Sequence, residues 1–186
     1  MENGVCNIAN GLHARGVETH VACLERAGAF ATRIPGGETV HLLRKSSGFS
    51  PRAVWNLARL LGRLRPSLLH THNLGPLIYA GLATLGGRMR RILHGEHSQL
   101  APWELEPRRI HQRSRLYGAC RAIHTVSRGQ LTELVQLGFP AAKITSLPNG
   151  VDTVRFTKGD RLLAKQQFGI PTDAPRRRLG RAIWSI

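Results

Sequence analysis

Apolar and polar positions alternate along most of the chain between the pattern of a β-strand and that of an amphipathic helix. Short apolar or β-branched runs predict strands at residues 18–24, 39–43, 68–70, 92–94, 122–126 and 144–147. Most segments between them repeat apolar residues every three or four positions, which predicts helices with one face packed on a sheet. Strands that alternate with helices in this way predict an α/β fold with a Rossmann-like parallel sheet and helices on both faces.

Capping residues mark the ends of several predicted helices. Ser50 and Pro51 are typical of an N-cap and a first helical position, and the apolar stripe that follows them ends before Pro66. Ser127 and Gly138 likewise bound a predicted helix, Ser127 as its N-cap and Gly138 at its C-terminus.

The chain opens on a helical pattern, with apolar residues from Val5 to Leu12 and Gly16 as a C-cap. A doubly wound domain instead opens on a strand, whose Gly-rich turn leads into the first helix. We therefore expect the first strand to be missing, either because the true start lies upstream or because the strand has been lost.

A sharp turn is predicted at Pro148-Asn149-Gly150, because Pro148 fixes φ and the next two residues tolerate positive φ. Phe156 follows a polar stretch, which is typical of a chain that passes to a neighbouring domain. We predict a Rossmann-like domain over residues 1–148, an interdomain hinge over 149–171 and an aberrant or truncated tail over 172–186. The tail, rich in arginine, lacks the apolar run of a further strand.

The chain has 186 residues, 41% of them apolar, and its formal net charge of +16 favours an anionic partner. Its basic residues are scattered over helix faces and loops without interleaved aromatics, so we expect no nucleic acid. The sequence contains neither a membrane-spanning apolar run nor a signal peptide, and its three cysteines are widely spaced. We expect a cytoplasmic protein, in possible peripheral contact with the inner face of an anionic membrane.

Two histidine pairs follow predicted strands, His70-x-His72 and His94-x-x-His97. Ligands of open α/β sheets bind where strands end, so these loops are candidate sites. His-x-His at a strand end also binds zinc or iron in barrel hydrolases, but such sites need further ligands from later strands of a longer chain. We therefore predict no metal here. Two interpretations remain: the imidazoles form ordinary hydrogen bonds with backbone or water, or they belong to a sugar-transfer cleft.

Several short motifs in the second half of the chain resemble those of glycosyltransferase family 4, whose members are retaining enzymes. They occur in the order of that family: Val126-Ser127, Gly138-Phe139-Pro140, Lys143-Ile144, Pro148-Asn149-Gly150-Val151-Asp152 and Phe156. The resemblance implies a GT-B fold, in which two Rossmann-like domains face a cleft. It covers about residues 4–170 and therefore only the first domain.

The same resemblance implies functional residues. The family carries a histidine that approaches the donor sugar and pyrophosphate, and it matches His97 here, with His94 a weaker candidate. Candidate substrate-binding residues are His70, His72, Asn73, Glu96, Ser98, Ser127, Arg128 and Asn149. Ser127 also suits simple capping, which we favour. No cofactor is implied, because the nucleotide sugar is a substrate.

In the family, the second domain holds the donor diphosphate, and its motifs are missing from this sequence. We therefore expect a fragment of a retaining glycosyltransferase, inactive alone, whose intact form takes a nucleotide sugar and a sugar or lipid-linked acceptor. The alternative is a non-catalytic binding module for a phosphate- or lipid-bearing partner, which the basic charge favours.

Overall fold

The computed structural model describes residues 2–34, 39–85, 91–151, 153–154 and 159–173, which form parallel strands flanked by helices. The helices are α1 (Glu2–His13), α2 (Pro51–Leu64), α3 (Leu74–Ala83), α4 (Pro107–Ala119), α5 (Arg128–Gln136) and α6 (Arg161–Gln167). The strands are β1 (Val21–Cys23), β2 (Val40–Leu42), β3 (Leu69–His72), β4 (Ile92–Glu96), β5 (Ala122–Thr125) and β6 (Ile144–Ser146). Single 3₁₀ turns lie at Ala29–Arg33, Pro102–Glu104 and Ala141–Lys143.

The strands divide between two sheets. Strands β1 and β2 pair in parallel, and β3, β4, β5 and β6 form a four-stranded parallel sheet in that order. A doubly wound sheet places its first strand between the second and the fourth. The described residues contain no strand for that place, so β1 and β3 lie in separate sheets.

In the four-stranded sheet, each strand is joined to the next by a segment that contains a helix, α3, α4 or α5. Such crossovers keep the strands parallel, so their carboxyl ends meet along one edge. Strand β4 extends further than predicted, because Gly95 and Glu96 pair with β5 instead of starting a loop. The polar loop therefore begins at His97.

The main core lies between this sheet and its helices. Buried apolar residues from α3, α4 and α5 pack with isoleucines of β4, β5 and β6, and they include Leu77, Ala80, Tyr117, Leu134, Ile92, Ile123 and Ile144. A second cluster joins α2 to α3 through Leu57, Leu60 and Tyr79. The first cluster therefore packs the helices against the four-stranded sheet.

The predicted caps are confirmed. Ser50 Oγ accepts a hydrogen bond from the Ala53 backbone nitrogen at 3.4 Å, and Pro51 is the first residue of α2. Gly16 and Gly138 have φ values of +75° and +85°, in the left-handed region that glycine tolerates. The sequence pattern therefore located the start of α2 and the ends of α1 and α5 correctly.

The chain divides into one compact unit over Met1–Asn149 and a second over Gly150–Ile186. In the second unit the sequence analysis missed α6, which Asp160 caps by accepting from the backbone nitrogens of Leu162 and Leu163. Parts of the segments named above lie outside the described residues: residues 152 and 155–158 of the hinge, which include the anchor Phe156, and residues 174–186 of the tail. None of the described helices combines the length and the apolar character that crossing a bilayer requires.

Replacing Ser50 with alanine should destabilise the domain by about 1 kcal/mol, the usual contribution of an N-cap side chain. The hydroxyl satisfies a free amide of the first turn of α2 at a buried position. Urea unfolding followed by circular dichroism measures the change. The control is Ser47→Ala at an exposed position of the preceding loop, and an equal loss there would contradict the capping role.

Candidate functional site

Three residues from neighbouring strands form a row across the four-stranded sheet. Strand pairing places His72 opposite Gly95 and Gly95 opposite His124. Residues that pair across parallel strands point to the same face, and so does His70, two residues before His72. Imidazoles from β3 and β5 therefore share one face, on either side of a glycine.

These imidazoles contact one another. His70 Nε2 lies 3.0 Å from His124 Nε2, and His72 Nδ1 lies 2.8 Å from His97 Nε2. The rings of His70 and His72 are 4.1 Å apart between centroids, and those of His97 and His124 are 5.7 Å apart. We call these four residues the histidine cluster.

Gly95 provides the space in which the cluster forms. A Cβ atom added to Gly95 would lie 2.5 Å from His124 Nε2 and 2.9 Å from His97 Nε2. Both distances are shorter than a van der Waals contact, so a side chain here would displace the imidazoles.

Asn73 holds the loop that carries His97 through its side chain and binds β4 through its backbone. Asn73 Oδ1 accepts a hydrogen bond from the His97 backbone nitrogen at 3.3 Å, and the Asn73 nitrogen donates to Gly95 O at 2.8 Å. Asn73 has φ 64° and ψ 166°, a region that residues other than glycine rarely occupy. Strained backbone of this kind is concentrated at functional sites, and here it connects β3 to the loop after β4.

Burial keeps the cluster uncharged at neutral pH. Burial and the neighbouring imidazoles lower the pKa of His70 to about 4 and that of His72 to about 3. The pKa values of His97 and His124 are lowered as well, first of all by burial. Neutral imidazoles both donate and accept hydrogen bonds, so the cluster is suited to hydroxyl groups or to a metal ion.

The opposite face of β4 carries a buried polar network. His94 is fully buried, with Nδ1 at 2.8 Å from Thr71 Oγ1 and Nε2 at 3.1 Å from Glu96 Oε1. Glu96 also accepts hydrogen bonds from the guanidinium of Arg113 and from the hydroxyl of Tyr117, at 2.6 Å for the latter. His94 and Glu96 are therefore engaged within the domain, on the face that does not carry the cluster.

The network keeps Glu96 ionised. Burial raises its pKa, but the hydrogen bond from His94 and the charge of Arg113 outweigh burial and hold the pKa below its usual value. Arg113 also bonds Glu104, so one cation serves two carboxylates inside the core. This arrangement anchors α4 to β4 directly behind Gly95.

The remaining candidates are a helix cap and three exposed residues. Ser127 Oγ accepts from the Gln130 backbone nitrogen at 3.2 Å, which confirms the predicted capping. Ser98, Arg128 and Asn149 are exposed.

The sequence analysis missed His124. It lies within β5, and its partner in the row is a glycine, so no motif marks it. The pairing of β4 with β5 identifies it, because a histidine opposite Gly95 lies on the same face of the sheet as His72. Only the register, which the pattern does not specify, shows this.

A family model described as Glycosyltransferase Family 4 matches residues 1–155. Among solved structures, the chain is similar to HepE from Anabaena in complex with UDP and glucose, at 18% identity and a TM-score of 0.71. That match covers 90% of this chain and 46% of HepE. A glycosyltransferase from Rickettsia africae matches at 16% identity with a TM-score of 0.68, covering 94% of this chain and 47% of the other.

The chain thus spans about half the length of the solved structures that it resembles. At such identities the likeness shows a shared fold. A search of curated protein sequences gave no significant match.

Replacing Arg113 with methionine should destabilise the domain by roughly 3–5 kcal/mol at neutral pH, because Glu96 would remain buried and charged without its cation. Chemical unfolding at a series of pH values measures the difference from the wild type. Arg109→Met, at an exposed position of the same helix, is the control and should change stability little.

The pH dependence separates charge from packing. The wild-type contribution of Glu96 is complete above the ordinary glutamate pKa of 4.5 and is lost as the pH falls through its lower folded value. In Arg113→Met the carboxylate can become neutral on protonation, so the penalty should shrink in acid. A penalty of constant size from pH 7 to pH 4 would instead assign Arg113 a packing role.

Proposed function

Because the chain belongs to glycosyltransferase family 4, we propose that it forms the acceptor-side domain of an enzyme that transfers a sugar from a nucleotide donor with retention of configuration. The observation that carries this proposal is the histidine cluster, which lies at the carboxyl edge of a parallel sheet. Ligands of open α/β folds bind at this edge, and the loop after β4 brings a half-buried imidazole there.

The donor in this proposal is a nucleotide sugar. HepE, which shares the fold of this chain, has been solved with UDP-glucose. The described residues offer neutral imidazoles, which suit sugar hydroxyls better than a diphosphate. The groups that hold the diphosphate would therefore come from a second domain, and the cleft between the domains would hold both substrates.

His97 is the residue that we assign to the reacting sugar. It is the one member of the cluster that lies on a loop instead of a strand, one residue beyond β4. His72 orients its imidazole at 2.8 Å, and Asn73 fixes its backbone. His70, His72 and Asn73 would act as positioning or substrate-binding residues beside it.

Alone, this domain would not catalyse transfer. Holding two reactants together contributes roughly 7–11 kcal/mol to lowering a barrier, and a half-site cannot supply this. Nucleotide binding of micromolar affinity by the 186-residue chain would contradict that division of roles.

In an enzyme that joins this domain to a donor-binding domain, His97→Ala should lower kcat by roughly 10- to 1000-fold, because one preorganised hydrogen-bonding group is lost at the sugar. The measurement is steady-state transfer from a nucleotide sugar, with the anomer of the product determined by NMR. His111→Ala removes an exposed imidazole of α4 and should leave kcat unchanged.

Thermal unfolding of the same variants shows whether His97 acts on the reaction or on the fold. Near-normal turnover of His97→Ala, or a loss of activity that tracks a lower melting temperature, would remove His97 from the catalytic site. An inverted product would refute retention without affecting the assignment of His97.

A second proposal is that the domain contacts an anionic membrane, from which it would take a lipid-linked acceptor. The observation that favours it is a surface at the start of α2 where two aromatic rings are more than half exposed, Phe49 at 61% and Trp55 at 57%. The guanidinium of Arg59 lies 4.7 Å from the centroid of the Trp55 ring, and Arg52 and Arg63 are exposed on the same helix. Aromatic rings beside arginines are typical of surfaces that bind anionic headgroups.

Trp55→Ala should weaken binding to liposomes containing phosphatidylserine by about tenfold or more, since burying an aromatic side chain contributes roughly 1.5–3 kcal/mol. Co-sedimentation at increasing salt measures binding, which should also decrease as the charges are screened. Trp103→Ala is the matched control, because Trp103 is exposed to a similar extent, 63%, outside this surface. Binding that does not depend on the charge of the lipid, or an equal loss of binding in both variants, would contradict the proposal.

A further inference from the structure

We propose that His70, His72 and His124 form a binding site for a divalent first-row transition metal of the zinc class. One nitrogen from each of the three imidazoles can be chosen so that all three atoms lie within 4.8 Å of one another. The sequence analysis predicted no metal, because His70-x-His72 had no further ligand in view. The pairing of β5 with β4 supplies that ligand as His124.

The distances suit a shared ion. Zinc binds imidazole nitrogens at about 2.0–2.1 Å in a tetrahedral arrangement, which places two of its ligand nitrogens about 3.3 Å apart. His70 Nε2 and His124 Nε2 are already 3.0 Å apart. Small ring rotations would bring His72 to the same centre, since its ring centroid is 4.1 Å from that of His70.

The hydrogen bonds within the cluster leave a nitrogen of His124 unsatisfied. A neutral imidazole has one N–H and one lone pair, and His124 shares Nε2 with His70 while Nδ1 has no partner. Among the described residues this atom is unpaired in either tautomer, and because His124 is only 8% exposed, it is also shielded from water. An ion bound at the two Nε2 atoms would replace the hydrogen bond between them, and each ring would then carry its proton on Nδ1.

The scaffold is suited to ion binding because the ligands lie on paired strands. Ligands on strands keep their positions more closely than ligands on flexible loops. Gly95, which has no side chain, lets the imidazoles of His124 and His97 lie over the middle strand. Behind it, the network of Glu96 and Arg113 fixes β4 against α4.

The ligand set selects the class of metal. Three imidazoles without a carboxylate favour zinc, copper, nickel or iron and disfavour Mg²⁺ and Ca²⁺, which require oxygen ligands. Glu96 does not enter the set, because its carboxylate is bonded on the opposite face. Three protein ligands leave a fourth position, which is open to solvent or to His97 beside His72.

Isothermal titration of the 186-residue protein with zinc chloride tests the site, and cobalt(II) chloride gives a second readout through the d–d absorption of a tetrahedral ion. We expect one ion per chain and no response to magnesium chloride. His124→Ala should weaken zinc binding by roughly 100-fold or more, since losing even an outer partner of a ligand costs about 10- to 100-fold. His111→Ala, which removes an exposed imidazole, should bind as the wild type does.

Gly95→Ala provides a second variant that keeps all the ligands. The added methyl group would displace His124 and should weaken zinc binding while leaving the number of histidines unchanged. Circular dichroism of each variant confirms that the fold is retained.

Absence of one-to-one zinc binding by the wild type would overturn the proposal. So would undiminished binding in folded His124→Ala, or an equal loss in His111→Ala. These outcomes do not decide the assignment of His97 to sugar transfer, which is measured separately by turnover.

Discussion

The missing side chain at Gly95 is the constraint on which the histidine cluster depends. Adjacent strands are about 4.8 Å apart, so the backbones of His72 and His124 are separated by about 10 Å across β4. Their imidazoles can approach only by reaching over the middle strand, and they do so with ring centroids 6.4 Å apart. Any larger residue at position 95 would fill the space that they occupy.

Side chains alternate along β4, so its core face and the face with the histidine cluster have different roles. His94 and Glu96 point into the core, where Arg113 and Tyr117 bond them, and Gly95 between them faces the cluster. Arg113, Glu96 and Tyr117 are buried, so the contribution of the network depends on the hydrogen bonds between its groups as well as on charge. By fixing the backbone of β4, it also fixes the position of Gly95 and of the loop that begins at His97.

Much of the fold could be predicted from the sequence because its signals are local. The caps at Ser50 and Ser127 and the apolar stripe of α2 depend on residues within one or two turns, and the structure confirms them. The length of β4 could not be predicted, because glycine followed by a charged residue is typical of a loop, and only pairing with β5 makes a strand of it. His124 was missed for the same reason, since its neighbours in space come from strand register.

The strained backbone of Asn73 fixes the loop that carries His97. A residue with φ 64° that is not glycine costs about 1–3 kcal/mol and persists only where the surroundings enforce it. Here the surroundings are the carbonyl of Gly95 and the backbone of His97, which Asn73 joins across two strands. Relaxing Asn73 would free the His97 loop and separate His97 from His72. The strain that fixes the relative position of His72 and His97 therefore offsets part of the small folding stability of the domain. Such strain is expected where the geometry of the imidazoles matters for binding. The packing of the core does not require this strain.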